Sequence, residues 1–210
     1  MFGFDGAALP VDKTVRRAFR AEWQRLASAG TWFRGSERVA IAAEARAARS
    51  LASAGTDLSP PVVEAAQSIS AAAQYVTRDW VEDLVARGVT LEQYVEVIGV
   101  VSRLAAVDGY CRGVGADLEP LPEPVPGDPS HERSDDAVLR EAFVPTVSED
   151  RAREALSAVP AEEDARRALS DALYLPDDAV GQDLTYQGVL SRPQMELLAA
   201  RVSHLNDCSY

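Results

Sequence analysis

Apolar residues recur at helical spacing along most of the chain. Between residues 11 and 30 they lie three or four positions apart, which is the period of an amphipathic helix. Gly30 follows the last of them and is a typical helix end. The apolar positions of this first predicted helix are Val15, Phe19, Trp23 and Leu26.

The same pattern predicts further helices, each marked by a capping residue or a terminal glycine. No stretch of useful length alternates between apolar and polar residues, so no strands are needed. The predicted helices are residues 36–55, a helix from Ser59–Pro60, residues 77–88, a long helix after Thr90, and helices from Ser148, after Pro160 and after Ser191.

The long helix after Thr90 is the most distinctive of these elements. Thr90 and Gln93 form a capping-box pattern at its start. Between Val95 and Val107 apolar residues occupy nearly every side of the helix, which predicts a central, largely buried position. A helix this apolar in a short chain also indicates a partner surface, and we expect a homo-oligomer.

The helical pattern is interrupted once, between Leu118 and Ser130. This segment contains five prolines and is predicted to run extended over the surface. A short extended piece is also predicted at residues 144–147. The chain is therefore expected to be all-α, with a first helical unit at 1–117, a proline-rich connector at 118–147 and the start of a second unit at 148–210.

Composition excludes several classes of function. The formal net charge of −12 disfavours binding to nucleic acid, because like charges repel. No apolar run is long enough for a membrane-spanning helix, and the N-terminus does not resemble a secretory signal. Two cysteines are too few for a disulfide framework, which fits a reducing cytoplasm. Two histidines and two cysteines without ligand spacing predict neither a metal site nor a cofactor.

The candidate chemistry lies near the C-terminus, where Glu196 precedes Cys208 by twelve residues. This spacing, within RPQMELLAARVSHLNDC, resembles the active-site helix of the alkylhydroperoxidase D / carboxymuconolactone decarboxylase-like family. The stretch TRDWVEDLVARGVTLEQYVEVIGVVSRLAAVDGYCRGVGADLEPLPEPVPGDPS resembles the long, peroxidase-related branch of that family. Taken together, the resemblance covers roughly residues 32–210, in which the helices and the connector follow the order found in the family.

The resemblance implies a helical bundle of the alkylhydroperoxidase D type, with a degenerate internal repeat. It also implies a thiol oxidoreductase that reduces organic hydroperoxides, with a thiol reductant restoring the enzyme. Cys208 would be the redox thiol, and Glu196 would take part in moving the proton. A Glu carries out such transfers when it is held near the reacting thiol. The family also implies an obligate oligomer.

The chain departs from the family pattern at two places. In the first unit Glu44, Arg46 and Ala48 match, but Leu51 and Ala54 stand where the family often has a Cys-x-x-Cys pair. That unit is therefore expected to be structural. In the second unit the family's next cysteine would follow Tyr210, so the sequence is expected to be C-terminally truncated or to keep a single cysteine.

This departure leaves two alternatives to the peroxidase. One is a carboxymuconolactone decarboxylase-like lyase, which needs no cysteine pair, and the other is a catalytically inactive helical oligomer. The 210 residues by themselves are expected to be oxidised at Cys208 but to turn over poorly, because no second thiol is placed in the Cys-x-x-Cys manner.

Other chemistry-bearing residues receive simpler interpretations. Cys111, on the long helix, is expected to be a small core residue. His131 is expected in solvent, and His204 on the surface or in the core. Glu96 and Asp108 fit either a buried polar pair or exposed positions. The charged runs SEDRAREA and AEEDARRA are interpreted as solvated helix faces.

Overall fold

The computed structural model describes residues 2–148, 154–174 and 190–205. The chain forms two compact units, Met1–Ala172 and Leu173–Tyr210, and the connector predicted at 118–147 lies within the first. Its described helices are α1 Lys13–Ala27, α2 Gly35–Ala48, α3 Pro60–Ala72 followed by a 3₁₀ turn Ala73–Tyr75, α4 Arg78–Ala86, α5 Leu91–Gly113, α6 Pro160–Leu173 and α7 Arg192–Leu205. The prediction of an all-α chain is confirmed.

Side chains fix where three of the helices begin. Asp12 accepts a hydrogen bond from the Thr14 amide at 2.6 Å and caps α1. The Thr77 side chain accepts from the Trp80 amide and caps α4. At the start of α5 the predicted capping box is present, with Thr90 and Gln93 each accepting from the other's backbone N–H at 3.1 and 2.9 Å. These bonds satisfy amides that have no partner within the helix.

Helix α5 is the centre of the first unit, and α2 and α3 pack against it. Its apolar side chains on several sides are buried, as the sequence predicts, and the neighbouring helices of the same chain cover them. An all-round apolar α5 therefore does not require a partner surface. The buried members of α5 in this core are Tyr94, Val95, Val97, Val100, Val101 and Leu104.

The segment Leu118–Ser130 is irregular, as predicted. Hydrogen bonds attach it to α1 and to the loop after it. The Trp23 indole N–H donates to the Pro120 carbonyl at 2.8 Å, and the Val125 amide donates to the Ala27 carbonyl at 2.8 Å. Prolines lack the N–H needed for regular structure, so side chains and isolated amides hold the segment instead.

The structure corrects three details of the predicted elements. Helix α2 ends at Ala48 rather than near residue 55, because the following loop turns back at Leu51. A two-stranded antiparallel pairing joins Val138–Leu139 to Pro145–Thr146, and only the second strand falls in a segment predicted to be extended. The helix predicted from Ser148 is wrong where the structure describes it, since residues 154–159 form bends and turns.

In the second unit the structure describes residues 173–174, helix α7 and the two residues before that helix. The Ser191 amide donates to the Gln194 side chain at 2.8 Å at the start of this helix. Four large apolar side chains of α7 are 55–71% exposed: Leu197, Leu198, Val202 and Leu205. Among the helices described, none combines the length and apolarity that a bilayer crossing requires.

Candidate functional site

Glu196 lies on the first turns of α7, where its side chain is 52% exposed. Its carboxylate pairs with the Arg192 guanidinium one turn earlier, at 2.6 Å. Cys208, the predicted redox thiol, lies outside the described residues. The roles predicted for Cys208 as the redox thiol and for Glu196 in moving its proton therefore stay predictions, while the Glu196 carboxylate itself is half exposed to solvent.

The first-unit residue that matches the family's Glu is Glu44, and it is fully buried. Each of its carboxylate oxygens accepts three hydrogen bonds, at 2.8–3.3 Å, from the loop after α2 and from α3. Burial raises the pKa of Glu44, but the hydrogen bonds from Gln67, Thr56 and Ala54 outweigh it and lower the pKa to about 2. Such a carboxylate stays ionised and does not exchange protons at neutral pH.

The loop held by Glu44 contains the two positions where the family has cysteines. Leu51 has a φ of 54° and is 98% exposed, and the Ala54 amide donates to Glu44 at 3.1 Å. Glu44 thus organises the loop between α2 and α3.

Cys111, near the end of α5, is fully buried, as predicted for a core residue. Burial and the neighbouring Asp108 raise the pKa of its thiol. Asp108 is also buried, and both of its oxygens accept from the Arg46 guanidinium at 2.7 and 2.9 Å. Because only the thiolate is a good nucleophile, Cys111 is poorly suited to react with a peroxide.

Five further charged side chains join in the core of the first unit, and we name them the buried charge network. Acidic and basic groups alternate along it, and the chain of ion pairs reaches Arg25 at its more exposed end. Four helices contribute members, so the network ties α1, α2, α5 and α6 together. In order, its members are Glu96, Arg38, Glu162, Arg103 and Glu22.

Glu162 of α6 occupies the middle of this network. Its two oxygens accept from Arg38 Nη1 at 2.8 Å and from Arg103 Nη2 at 2.5 Å. Arg103 also donates to the Glu162 carbonyl at 3.4 Å and to Glu22 at 2.8 Å. The Arg38, Glu162 and Arg103 side chains are 1%, 2% and 6% exposed, so water does not screen their charges.

The two carboxylates that share Arg38 differ in their proton affinity. Burial raises the pKa of Glu162, but Arg103 and Arg38 outweigh it and lower that pKa below its ordinary value. Burial also raises the pKa of Glu96, where Arg38 only partly offsets it and Glu162 adds to it. Glu96 is further held by the Trp32 amide, which donates to it at 2.6 Å.

Two glycines make room for this network. A Cβ on Gly99 would lie 2.1 Å from Glu162 Oε2, and one on Gly30 would lie 2.0 Å from Glu96 Oε1. A cavity of about 10 Å³ lies beside the network, lined by Glu22, Arg38 and Arg103 among others. The Arg38 Nε–H is buried without a hydrogen-bond partner.

The sequence interpretation missed these residues. It assigned AEEDARRA to a solvated face, whereas Glu162 and Glu163 are 1% and 5% exposed. It did not decide whether Glu96 and Asp108 are exposed or form a buried pair. Both are buried, and Glu96 pairs with Arg38 while Asp108 pairs with Arg46. Gly99, inside an otherwise apolar helix, is the one signal available, since such a glycine marks close approach of another group.

The two histidines lie where the sequence predicts. His131 is exposed, and its ring lies edge-on to Trp32 at 5.0 Å between centroids. His204 is exposed on the last turn of α7. Among the residues described, no three His, Cys, Asp or Glu side chains cluster in a way that would hold a metal ion.

No family model, no curated protein and no solved structure matches the chain.

Proposed function

We propose that the protein is a thiol-dependent oxidoreductase that reduces organic hydroperoxides at Cys208, with Glu196 handling the proton. The observation that carries the proposal is the twelve-residue spacing from Glu196 to Cys208, in a segment that resembles the redox helix of the alkylhydroperoxidase D-like family. The exposed position of the Glu196 carboxylate on α7 supports it, because an acid–base group must reach the reacting atoms.

The proposed reaction begins with the Cys208 thiolate. Its sulfur attacks the distal oxygen of the hydroperoxide, the O–O bond breaks, and a sulfenic acid and an alcohol form. The sulfur is oxidised by two electrons and the hydroperoxide is reduced by two. Glu196 belongs to a relay that takes the thiol proton before the attack and delivers it to the leaving alkoxide.

A thiol reductant then restores the enzyme. Its sulfur attacks the sulfenic sulfur, which expels water and leaves a mixed disulfide. A second reductant thiol attacks that disulfide, frees Cys208 and carries the oxidising equivalents away as the reductant's own disulfide. No cofactor or metal takes part, and a cytoplasmic location fits a cycle that depends on a reducing thiol pool.

Two residues of the first unit, Glu44 and Cys111, are poorly suited to peroxide chemistry, which supports this proposal. Glu44 is held ionised by its hydrogen bonds, and the Cys111 thiol is buried with a raised pKa. Neither provides a reactive thiol or an exchangeable proton. We therefore propose the second unit as the place of the chemistry and the first unit as a helical scaffold.

We also propose that the protein is a homo-oligomer. The apolar surface of α5 is covered within the chain, so it no longer motivates the proposal. The exposed leucines and valine of α7 support it instead, because a solvent-exposed apolar helix face is typical of a surface that pairs.

Mapping of the oxidised cysteine tests the proposed function. The full chain is treated with one equivalent of tert-butyl hydroperoxide in the presence of dimedone, which traps sulfenic acids, and its peptides are analysed by mass spectrometry. The proposal predicts the dimedone adduct on Cys208 and its loss in Cys208→Ser. The matched Cys111→Ser variant keeps it.

An absence of adduct in the folded chain would contradict the peroxidase and favour the catalytically inactive helical oligomer. The lyase alternative predicts instead that Cys208→Ser leaves activity on a lactone unchanged.

A further inference from the structure

Leu51, on the loop after α2, combines backbone strain with almost complete exposure. Its φ is 54°, in the left-handed region that favours glycine, and it is 98% exposed. The amides of Leu51 and Ala52 donate to the Ala48 and Ala47 carbonyls at 3.0 and 3.1 Å, which is a common way for a helix to end. Glycine is the usual residue at the left-handed position of this motif. A leucine there costs stability and gains no burial within the chain.

The other left-handed positions of the described chain are used differently. Phe4, with a φ of 57°, is 4% exposed and packs among aromatic rings. His131, also with a φ of 57°, lies edge-on to Trp32. In the same loop as Leu51, the left-handed position 55 is occupied by glycine. Among these residues Leu51 is the one whose strain no contact within the chain offsets, which indicates a contact outside the chain.

A groove of matching character lies between α1 and the connector. Its volume is about 480 Å³, and its charged members are Arg20 and Glu119, one of each sign. Such a lining, mostly apolar with few charges, suits the entry of an apolar side chain. The apolar residues that line it are Phe2, Trp23, Pro120, Leu121 and Pro122.

Arg46, on the last turn of α2, connects this groove with the Leu51 loop. Its guanidinium lies 5.6 Å from the centre of the Trp23 ring and donates to the Glu119 carbonyl at 2.9 Å, and both of these residues line the groove. The groove and Leu51 therefore lie near the same end of α2. When a projecting side chain and a groove that fits it are close together on one chain, two copies can exchange them about a two-fold axis.

We propose that this end of α2 forms a dimer interface, in which Leu51 of each copy inserts into the groove between α1 and the connector of the other copy. The contact is separate from the one proposed for α7. Two chains of net charge −12 repel each other, but between the buried Glu44 and Asp57 the sequence has no acidic residue and carries Arg49. The loop is thus a part of this acidic chain that a second copy can approach.

Sedimentation of full-length variants tests the interface. All of them carry Leu198→Asp and Val202→Asp, which remove exposed apolar side chains of α7, so that the α7 contact does not contribute. This reference chain is expected to dimerise at micromolar concentration. Leu51→Gly is expected to raise the dissociation constant of the dimer about 100-fold, because two leucines leave the interface and each contributes about tenfold.

Thermal unfolding separates this effect from a folding defect. At a dilution where the chains are dissociated, Leu51→Gly is expected to raise the Tm by about 3 °C, because glycine adopts the left-handed conformation without strain. Leu51→Met keeps an apolar side chain and should keep the dimer. Tyr75→Ser, at a position that is 75% exposed and outside the groove, should leave the dimer unchanged.

The groove is tested from its own side. Gln24 is exposed and lines the groove, so the larger, charged side chain of Gln24→Arg is expected to weaken the dimer as Leu51→Gly does. A photoreactive p-benzoylphenylalanine at position 51 is expected to cross-link to residues 20–24 or 119–122. A mixture of isotope-labelled and unlabelled chains should show that the cross-link joins two copies.

Four results would overturn the proposal. They are a monomeric reference chain, a Leu51→Gly variant that dimerises as the reference does, a Leu51→Gly variant that is less stable when dissociated, and cross-links that stay within one copy or reach another surface. A parent chain that assembles beside a monomeric reference chain would assign the assembly to α7 and leave no role for Leu51.

Discussion

At the scale of single residues, charged side chains in this protein are distinguished by what surrounds them. Glu44 and Glu196 both match glutamate positions in the family resemblance. Glu44 is buried and accepts six hydrogen bonds, whereas Glu196 is half exposed beside Arg192. Their sequence neighbourhoods do not separate them, because the partners of Glu44 come from a loop and from α3. Burial and hydrogen bonding therefore hold the Glu44 carboxylate in the loop, whereas the Glu196 carboxylate is open to solvent.

The first prediction concerns Glu44→Gln. Both carboxylate oxygens accept from donors, so the amide NH₂ of glutamine would face hydrogen-bond donors that it cannot pair with. We expect the free energy of unfolding to fall by about 2 kcal/mol at neutral pH, measured by urea unfolding. The matched variant is Glu82→Gln, at an exposed position on α4, and we expect it to change stability by less than about 0.5 kcal/mol.

The pH dependence of this difference gives a second check on Glu44. Its pKa is about 2 in the folded chain, below its ordinary value of 4.5. A lowered folded-state pKa contributes stability that is complete above pH 4.5 and is lost as the pH falls through about 2. The stability difference between the parent and Glu44→Gln should therefore shrink across that window. A difference that stays constant down to pH 2 would contradict the hydrogen-bonded carboxylate.

The two cysteines are predicted to differ in reactivity. Cys111 is fully buried and burial raises the pKa of its thiol, so it should resist iodoacetamide in the folded chain. Cys208 is expected to react first. Peptide mass mapping after brief alkylation measures both sites, and labelling repeated in denaturant should make them equal. Preferential labelling of Cys111 in the folded chain would show that the proposed assignment of the two cysteines is wrong.

At the scale of elements, α5 shows how far sequence pattern alone leads. Its capping box, its length and its burial are all confirmed, because local bonds and an apolar surface encode them. The arginines and glutamates that connect α5 to the other helices were not predicted. A charged residue in an apolar helix does not indicate its partner when that partner is distant in the sequence. Glu96 pairs with Arg38, 58 positions away, and Arg103 pairs with Glu162, 59 positions away.

Two glycine substitutions on α5 test the packing around the buried charge network. In Gly99→Ala the new methyl group would overlap Glu162 Oε2, so we expect a loss of about 2 kcal/mol in the free energy of unfolding. In Gly109→Ala the methyl group meets nothing within 4 Å, and the better helix propensity of alanine should stabilise the protein by up to about 1 kcal/mol. Effects of the same sign and size at both positions would contradict the described packing.

At the scale of the whole molecule, the helical class follows from the sequence because helical spacing recurs in nearly every long segment. The irregular structure of the segment Leu118–Ser130 also follows from the sequence, since its five prolines exclude regular structure there. The end of α2 and the turns at residues 154–159 were mispredicted. Hydrogen bonds to Glu44 and burial of Leu156, Ala158 and Val159 override the local preferences at these two places.

The oligomeric state is also a property of this scale. The proposal predicts a dimer or a larger assembly, measured by light scattering at micromolar concentration. Charged substitutions at Leu198 and Val202, both more than half exposed on α7, should lower the measured mass. A monomeric mass for the parent chain would contradict the proposed assembly without affecting the assignment of the thiol.

The most direct test of the proposed function is the rate at which tert-butyl hydroperoxide oxidises Cys208 in a single turnover. We expect Glu196→Gln to slow this oxidation by about 10²-fold, the usual scale for the loss of a positioned acid or base. Glu82→Gln, an exposed glutamate of the first unit, should leave the rate unchanged. The account is contradicted if Cys208 reacts no faster than a free cysteine, or if Glu196→Gln and Glu82→Gln react at the same rate as the parent.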